Sequence, residues 1–147
     1  MSSGVLVDDH ILLRMLLGEE PGELRPRGGI VATTGLWYHR LCRALAGQAV
    51  VGSMSRRLGG VSPEVAAEVI AAVIELPASI ELVSLRTVGW PMGELLRDGA
   101  RLNLLSLEAL AAARFLDAEI CCAQANENEP LTDAARTHEI AIRSLQL

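Results

Sequence analysis

The sequence predicts an α/β fold: a three-layer α/β/α sandwich with a central, mainly parallel sheet of four or five strands. Three observations carry this. Short aliphatic runs alternate with segments of helical periodicity through both ends of the chain, which is the pattern of a parallel sheet with helices on its faces. Half of the residues are apolar, yet only two Trp, one Tyr and one Phe occur, so Leu, Val, Ile and Ala must fill the core. Small aliphatic packing suits helices stacked on a buried sheet. The length of 147 residues fits one domain, 1–147, burying about two-thirds of its unfolded surface.

The elements follow in order. Val5, Leu6 and Val7 form an apolar run bounded by Gly4 and Asp8, which reads as a buried strand. Ile11, Leu12, Met15 and Leu16 then recur at helical spacing up to Gly18, with Asp8 or Asp9 as the N-cap. Residues 19–29, with two Pro and three Gly, form a loop. Residues 30–32 make a short extended piece, and Thr33 or Thr34 caps a helix running to about Gly47. Residues 48–58 predict a further helix, ended by Gly59 and Gly60. Ser62-Pro63-Glu64 is a helix start, because Ser caps, Pro fits the first turn and Glu complements the dipole; this helix runs to Leu76 and stops at Pro77. Residues 80–85 read as a strand. Trp90-Pro91 opens a short helix over 92–98, ending near Gly99, and Ser106 caps an alanine-rich helix after it. Residues 119–123 form a strand, 123–130 (AQANENEP) a polar loop, 131–138 a last helix, and 140–142 a strand that closes the sheet.

Charge and composition exclude several functions. A net charge of -5 and a pI near 5.2 argue against coating nucleic acid through bulk charge, though a local basic groove remains open. All 13 basic residues are Arg, through genome composition or because guanidinium forks suit phosphate. Cys42, Cys121 and Cys122 are an odd count without metal-ligand spacing and read as reduced core thiols. No basic leader and no run of about 18 uncharged apolar residues occurs, so the expectation is a cytoplasmic protein with no membrane partner. Gly28-Gly29 lacks the dinucleotide fingerprint, and His10, His39 and His138 are dispersed without ligand spacing.

Side chains at the carboxyl ends of parallel strands meet in a crevice, and Asp8 and Asp9 lie at one such end. Asp8 is either a helix cap or a cleft carboxylate, in which case Asp9 takes the cap. Glu108, near the start of its helix, has a dipole explanation as well as a ligand one. Arg40 and Arg43 stand one turn apart near Trp37 and Tyr38, forming either an RNA-facing surface or an ion-paired, solvated face.

Three segments together resemble the PIN domain, the small α/β nuclease fold of VapC-type toxins: VLVDDHILLRMLLGEEP, ATTGLWYHRLCRALAG and LSLEALAAARFLDAEICCAQANENEPLTDAARTHEIAI. The resemblance implies an acidic cluster holding Mg²⁺ or Mn²⁺ for RNA cleavage, because hard cations take oxygen ligands and orient water against a phosphodiester. Carried over by position, the first acid falls on Asp8, the third on Glu108 before Ala109, and the fourth in the AQANEN loop on Asn126 or Asn128, with Glu127 between them. The second falls on Arg40, a charge reversal. Unit charges ~4 Å apart interact by about 4 kcal/mol at an effective dielectric of 20, so Arg40 opposes a cation there. Alternatively Arg40 fills the hole by pairing with Asp8 or Glu108.

The resemblance thus implies Asp8 and Glu108 as catalytic residues and Asp8, Glu108 and Glu127 as metal ligands; with the residue readings above, Asp9, Arg40, Arg43 and Asn126 are the binding candidates. It implies RNA, an antitoxin protein and a second copy of the chain as partners. Three functions stay open: a PIN-like domain that has partly lost its metal site and binds RNA or protein, an active ribonuclease using Mg²⁺ or Mn²⁺, and an unrelated α/β interaction module without cofactor.

Overall fold

The computed structural model describes residues 4–25, 29–47 and 59–147. In chain order these form β1 (Gly4–Val7), α1 (Asp9–Leu16), β2 (Ile30–Thr34), α2 (Gly35–Ala46), α3 (Pro63–Ile74), β3 (Ile80–Val83), α4 (Leu85–Arg97), α5 (Leu104–Leu116), β4 (Ala118–Ala123), α6 (Glu129–Thr137) and β5 (Ile142–Leu145). The five strands make one all-parallel sheet in the order β3-β2-β1-β4-β5. Among the described residues six α-helices flank it, giving the three-layer α/β sandwich that the alternating pattern implies.

Side-chain alternation along the strands sorts the core into two layers. Val5, Val7 and Cys121 pack under Ile11, Leu12 and Leu13 of α1, Leu41 of α2 and Val69 and Val73 of α3. Leu6, Ile120 and Cys122 face Val88, Met92 and Leu95 of α4, the buried alanines of α5, and Leu131 and Ala135 of α6. Helix α5 is buried at every position from Ser106 to Ala113, and its methyl side chains let it lie close on the sheet. Helix α2 starts without a loop after β2 and contributes Trp37 to one layer and Leu41 to the other, so its first turn sits over the carboxyl edge of the strands. At the opposite edge β1 and β2 approach so closely that a Cβ on Gly4 would lie 2.7 Å from the Ile30 carbonyl, leaving room for Gly alone.

Several boundaries differ from the sequence expectation. The strand at 80 ends at Val83, because Ser84 accepts from the Arg86 amide and starts α4 at Leu85. Trp90-Pro91 therefore lies inside α4 rather than opening a helix at 92; burial of Val88, Met92 and Leu95 on one face outweighs the proline's missing donor. Asn103, not Ser106, caps α5, accepting the Ser106 amide at 2.8 Å. Asn128 caps α6, which begins at Glu129 rather than 131. Strand β2 continues to Thr34, β4 begins at Ala118, and the closing strand is Ile142–Leu145 rather than 140–142. The helix expected over 48–58 lies outside the described residues. No helix among the described residues is long and apolar enough to cross a membrane.

Candidate functional site

The strand order reverses between β1 and β4: the chain steps from β1 to β2 and β3 on one side, then returns to place β4 on the other. The carboxyl ends at such a switch point splay apart and leave the crevice where ligands of parallel α/β sheets bind. Asp8 and Asp9 follow the last residue of β1, and Gln124–Asn126, a single 3₁₀ turn, follows the last residue of β4.

Asp8 takes the cap role, and its second oxygen is turned inward to the end of β4. Its Oδ1 accepts from the Ile11 amide at 2.9 Å, capping α1, while its Oδ2 accepts from the Ala123 amide at 2.8 Å and Asn126 Nδ2 at 2.7 Å. One fully buried carboxylate thus ties the start of a helix to the end of the neighbouring strand. Burial pushes its pKa up; the Ile11, Asn126 and Ala123 hydrogen bonds pull it back, and the Asp9 charge adds to the rise.

Asp9 is equally buried and faces the same centre. Its Oδ1 accepts from Asn126 Nδ2 at 2.9 Å and its own neighbour's amide, His10 N, at 3.1 Å. Its Oδ2 lies 2.8 Å from Arg40 Nε, an ion pair whose angle is too oblique for a hydrogen bond. Arg40 also donates through Nη2 to Asn126 Oδ1 at 3.1 Å. Arg40 therefore does enter the acidic centre, but it pairs with Asp9 rather than with Asp8 or Glu108. Asn126 is the hub, donating to both aspartates and accepting from the arginine.

Glu108 lies apart from this hub. It projects from α5 to the first turn of α2, where its Oε1 accepts the Leu36 amide at 2.8 Å. Thr34 Oγ1 accepts the Trp37 amide beside it, so two orphan donors of α2 are satisfied from outside the helix backbone. The dipole explanation at its own helix does not hold, because α5 has no acid in its first turn; the carboxylate sits instead at the N-terminus of α2. Its Oε2 is buried without a hydrogen-bond partner. Glu127 is exposed at the rim of the crevice, and Arg43 is exposed one turn beyond Arg40.

Above the hub opens a cleft of about 240 Å³, lined by Trp37 and Arg40 from α2, Asn103 and Ser106 from the start of α5, and Asn126 and Asn128 before α6. The N-termini of α5 and α6 border it at Asn103 and Asn128, each a source of partial positive charge. Of these, Asn128 is a candidate from the sequence and Asn103 is not, although an Asn just before an apolar helical period signals a cap there. Cys122 lies in the cleft floor, but burial raises its pKa strongly, and burial holds the neighbouring Cys121 at about 11. Neither thiol is a nucleophile at neutral pH.

The residues present do not, in this arrangement, fit a divalent ion. Each oxygen of Asp8 and Asp9 already faces an N–H donor or the guanidinium, so a cation would have to displace Asn126 and Arg40. Among the described residues no three His, Cys, Asp or Glu side chains are grouped as a metal would require. Comparison with known proteins returns no matching family model and no matching curated relative.

Proposed function

We propose that this protein binds single-stranded RNA in the switch-point cleft, holding one phosphodiester with Arg40, and that it does so without a divalent metal ion. The observation that carries the reading is Arg40: it bridges Asp9 and Asn126 and still leaves 37% of its side chain exposed toward the cleft. A guanidinium offers five donors, of which one is given to Asn126 and one faces Asp9 as an ion pair, so others are left to meet a phosphate oxygen. The helix N-termini at Asn103 and Asn128 add partial charge of the same sign around it. With a net charge of -5, binding depends on this local site rather than on bulk attraction.

The test is fluorescence anisotropy with a labelled single-stranded RNA oligonucleotide, run with chelator and with Mn²⁺. Binding that weakens with salt, ignores chelator and drops at least tenfold in Arg40→Ala supports the proposal. No binding at any salt concentration overturns it.

A second reading is favoured by the unpartnered buried oxygen of Glu108: a metal-dependent ribonuclease of the toxin kind, held by an antitoxin, in which Arg40 swings out and Asp8, Asp9, Glu108 and Glu127 shift together to take up Mg²⁺ or Mn²⁺. RNA cleavage that needs Mn²⁺, with calorimetric Mn²⁺ binding abolished by Asp8→Asn, would replace the first reading with this one.

A further inference from the structure

Strand β5 is the last in the sheet, and among the described residues its outer edge has no neighbouring strand. Ile120 donates its amide to Ala141 O at 2.8 Å, and the parallel register pairs Ile120 with Ile142 and Cys122 with Ser144. This register turns the N–H and carbonyl of Arg143 toward β4 and those of Ile142 and Ser144 away from the sheet. The outward groups of Ile142 and Ser144 have no partner among the described residues. The strand, Ile-Arg-Ser-Leu, carries neither the proline nor the lysine that commonly blunts a sheet edge.

A groove of about 720 Å³ runs between this strand and α6. Its walls carry Ile142 and Ser144 on the strand side and Glu127, Glu129 and Asp133 on the other. Its two arginines are already neutralised: Arg136 pairs with Asp133 at 3.3 Å, and Arg143 pairs with Glu119 at 2.8 Å and donates to the Glu23 and Leu24 carbonyls. Glu127 and Glu129 are left without an ionic partner among the described residues, so the groove is acidic.

We infer that β5 and this groove receive an extended segment of a partner protein, added as a sixth strand, with basic side chains at alternate positions. The outward N–H and carbonyl groups of Ile142 and Ser144 supply backbone pairing, and the period of two in a strand sends every second side chain of the incoming segment toward the glutamates. Charge complementarity selects a basic segment over an acidic one. The groove adjoins the Arg40 cleft at Glu127 and Asn128, which line both, but the paired strand residues Ile142 and Ser144 line only the groove, so exchange at their amides reads strand addition apart from RNA binding.

The probe is an acetylated, amidated hexapeptide alternating valine and arginine, titrated into the full chain by calorimetry, with amide hydrogen exchange followed at Ile142 and Ser144. The expected result is saturable binding, slowed exchange at both amides, and at least tenfold weaker binding for the valine–glutamate counterpart. Ser144→Pro removes an outward donor without touching the ladder to β4 and should weaken binding to a similar degree. Glu127→Gln with Glu129→Gln tests the charge contribution should the proline variant fold poorly, with a severalfold loss expected. Equal affinity for the two peptides, or unchanged exchange at both amides, overturns the inference. So does concentration-dependent self-association that Ser144→Pro abolishes, since the occupant would then be a second copy.

Discussion

Arg40→Ala separates a filled site from an open one, and its consequence can be sized from the geometry. Removing one member of a buried ion pair costs about 3–5 kcal/mol, because the other charge is stranded. Asp9 is fully buried, but Arg40 is 37% exposed, and exposed pairs contribute at most ~1 kcal/mol. Water entering the vacated position solvates Asp9 in part, which places the loss near 2 kcal/mol, or about 4–8 °C in Tm for a chain of this size. Asp9→Asn removes the stranded charge, so the double variant should recover about 1 kcal/mol of that loss. Urea unfolding of the four proteins closes the thermodynamic cycle. A coupling energy below ~0.5 kcal/mol would refute the idea that Arg40 neutralises the acidic centre.

Asn126→Ala should destabilise by about 2–4 kcal/mol, since two hydrogen bonds to charged acceptors are lost at once; thermal unfolding checks this, and a loss under ~1 kcal/mol would remove its role as hub. The pKa of Asp8 is raised above the ordinary 3.8, so its contribution to stability is fully present below that value and is lost as pH rises through the folded value. The stability of the parent relative to Asp8→Asn should therefore fall as pH rises from 3.8, and urea titrations showing the opposite slope would contradict the burial argument. A thiol reagent at pH 8 should label half-buried Cys42 well before Cys121 and Cys122, which react only on unfolding. Gly4→Ala should destabilise by about 1–3 kcal/mol, measured by denaturant midpoint, because its methyl meets the Ile30 carbonyl.

The elements that sequence alone resolves are those whose signal is local. The run Val5 to Val7, the capped start at Ser62-Pro63-Glu64 and the strand before the AQANEN loop all carry their own boundaries, and the structure keeps them within a residue or two. Pro91 misled because a proline usually marks a first turn, whereas here the neighbouring layer buries Val88 and Met92 on either side of it and extends the helix back to Ser84. The site was legible in part for the same reason. Asp8, Asp9, Arg40 and Asn126 stand out by charge at the ends of elements, but which of them touch is decided by strand order. Glu108 reaches the first turn of α2 across 72 residues of chain, and no spacing in the sequence announces that.

The bond from the Ala123 amide to Asp8 spans 115 residues, so the acceptor leaves the ribosome long before its donor exists. Until β4 is synthesised, Asp8 Oδ2 lacks its Ala123 donor, and only the Oδ1 cap of α1 is in place. In a parallel sheet such long closures come late and make folding slow. Docking of β4 beside β1 therefore both completes the sheet and buries the acid, and a chain halted before residue 118 would expose the whole centre to water.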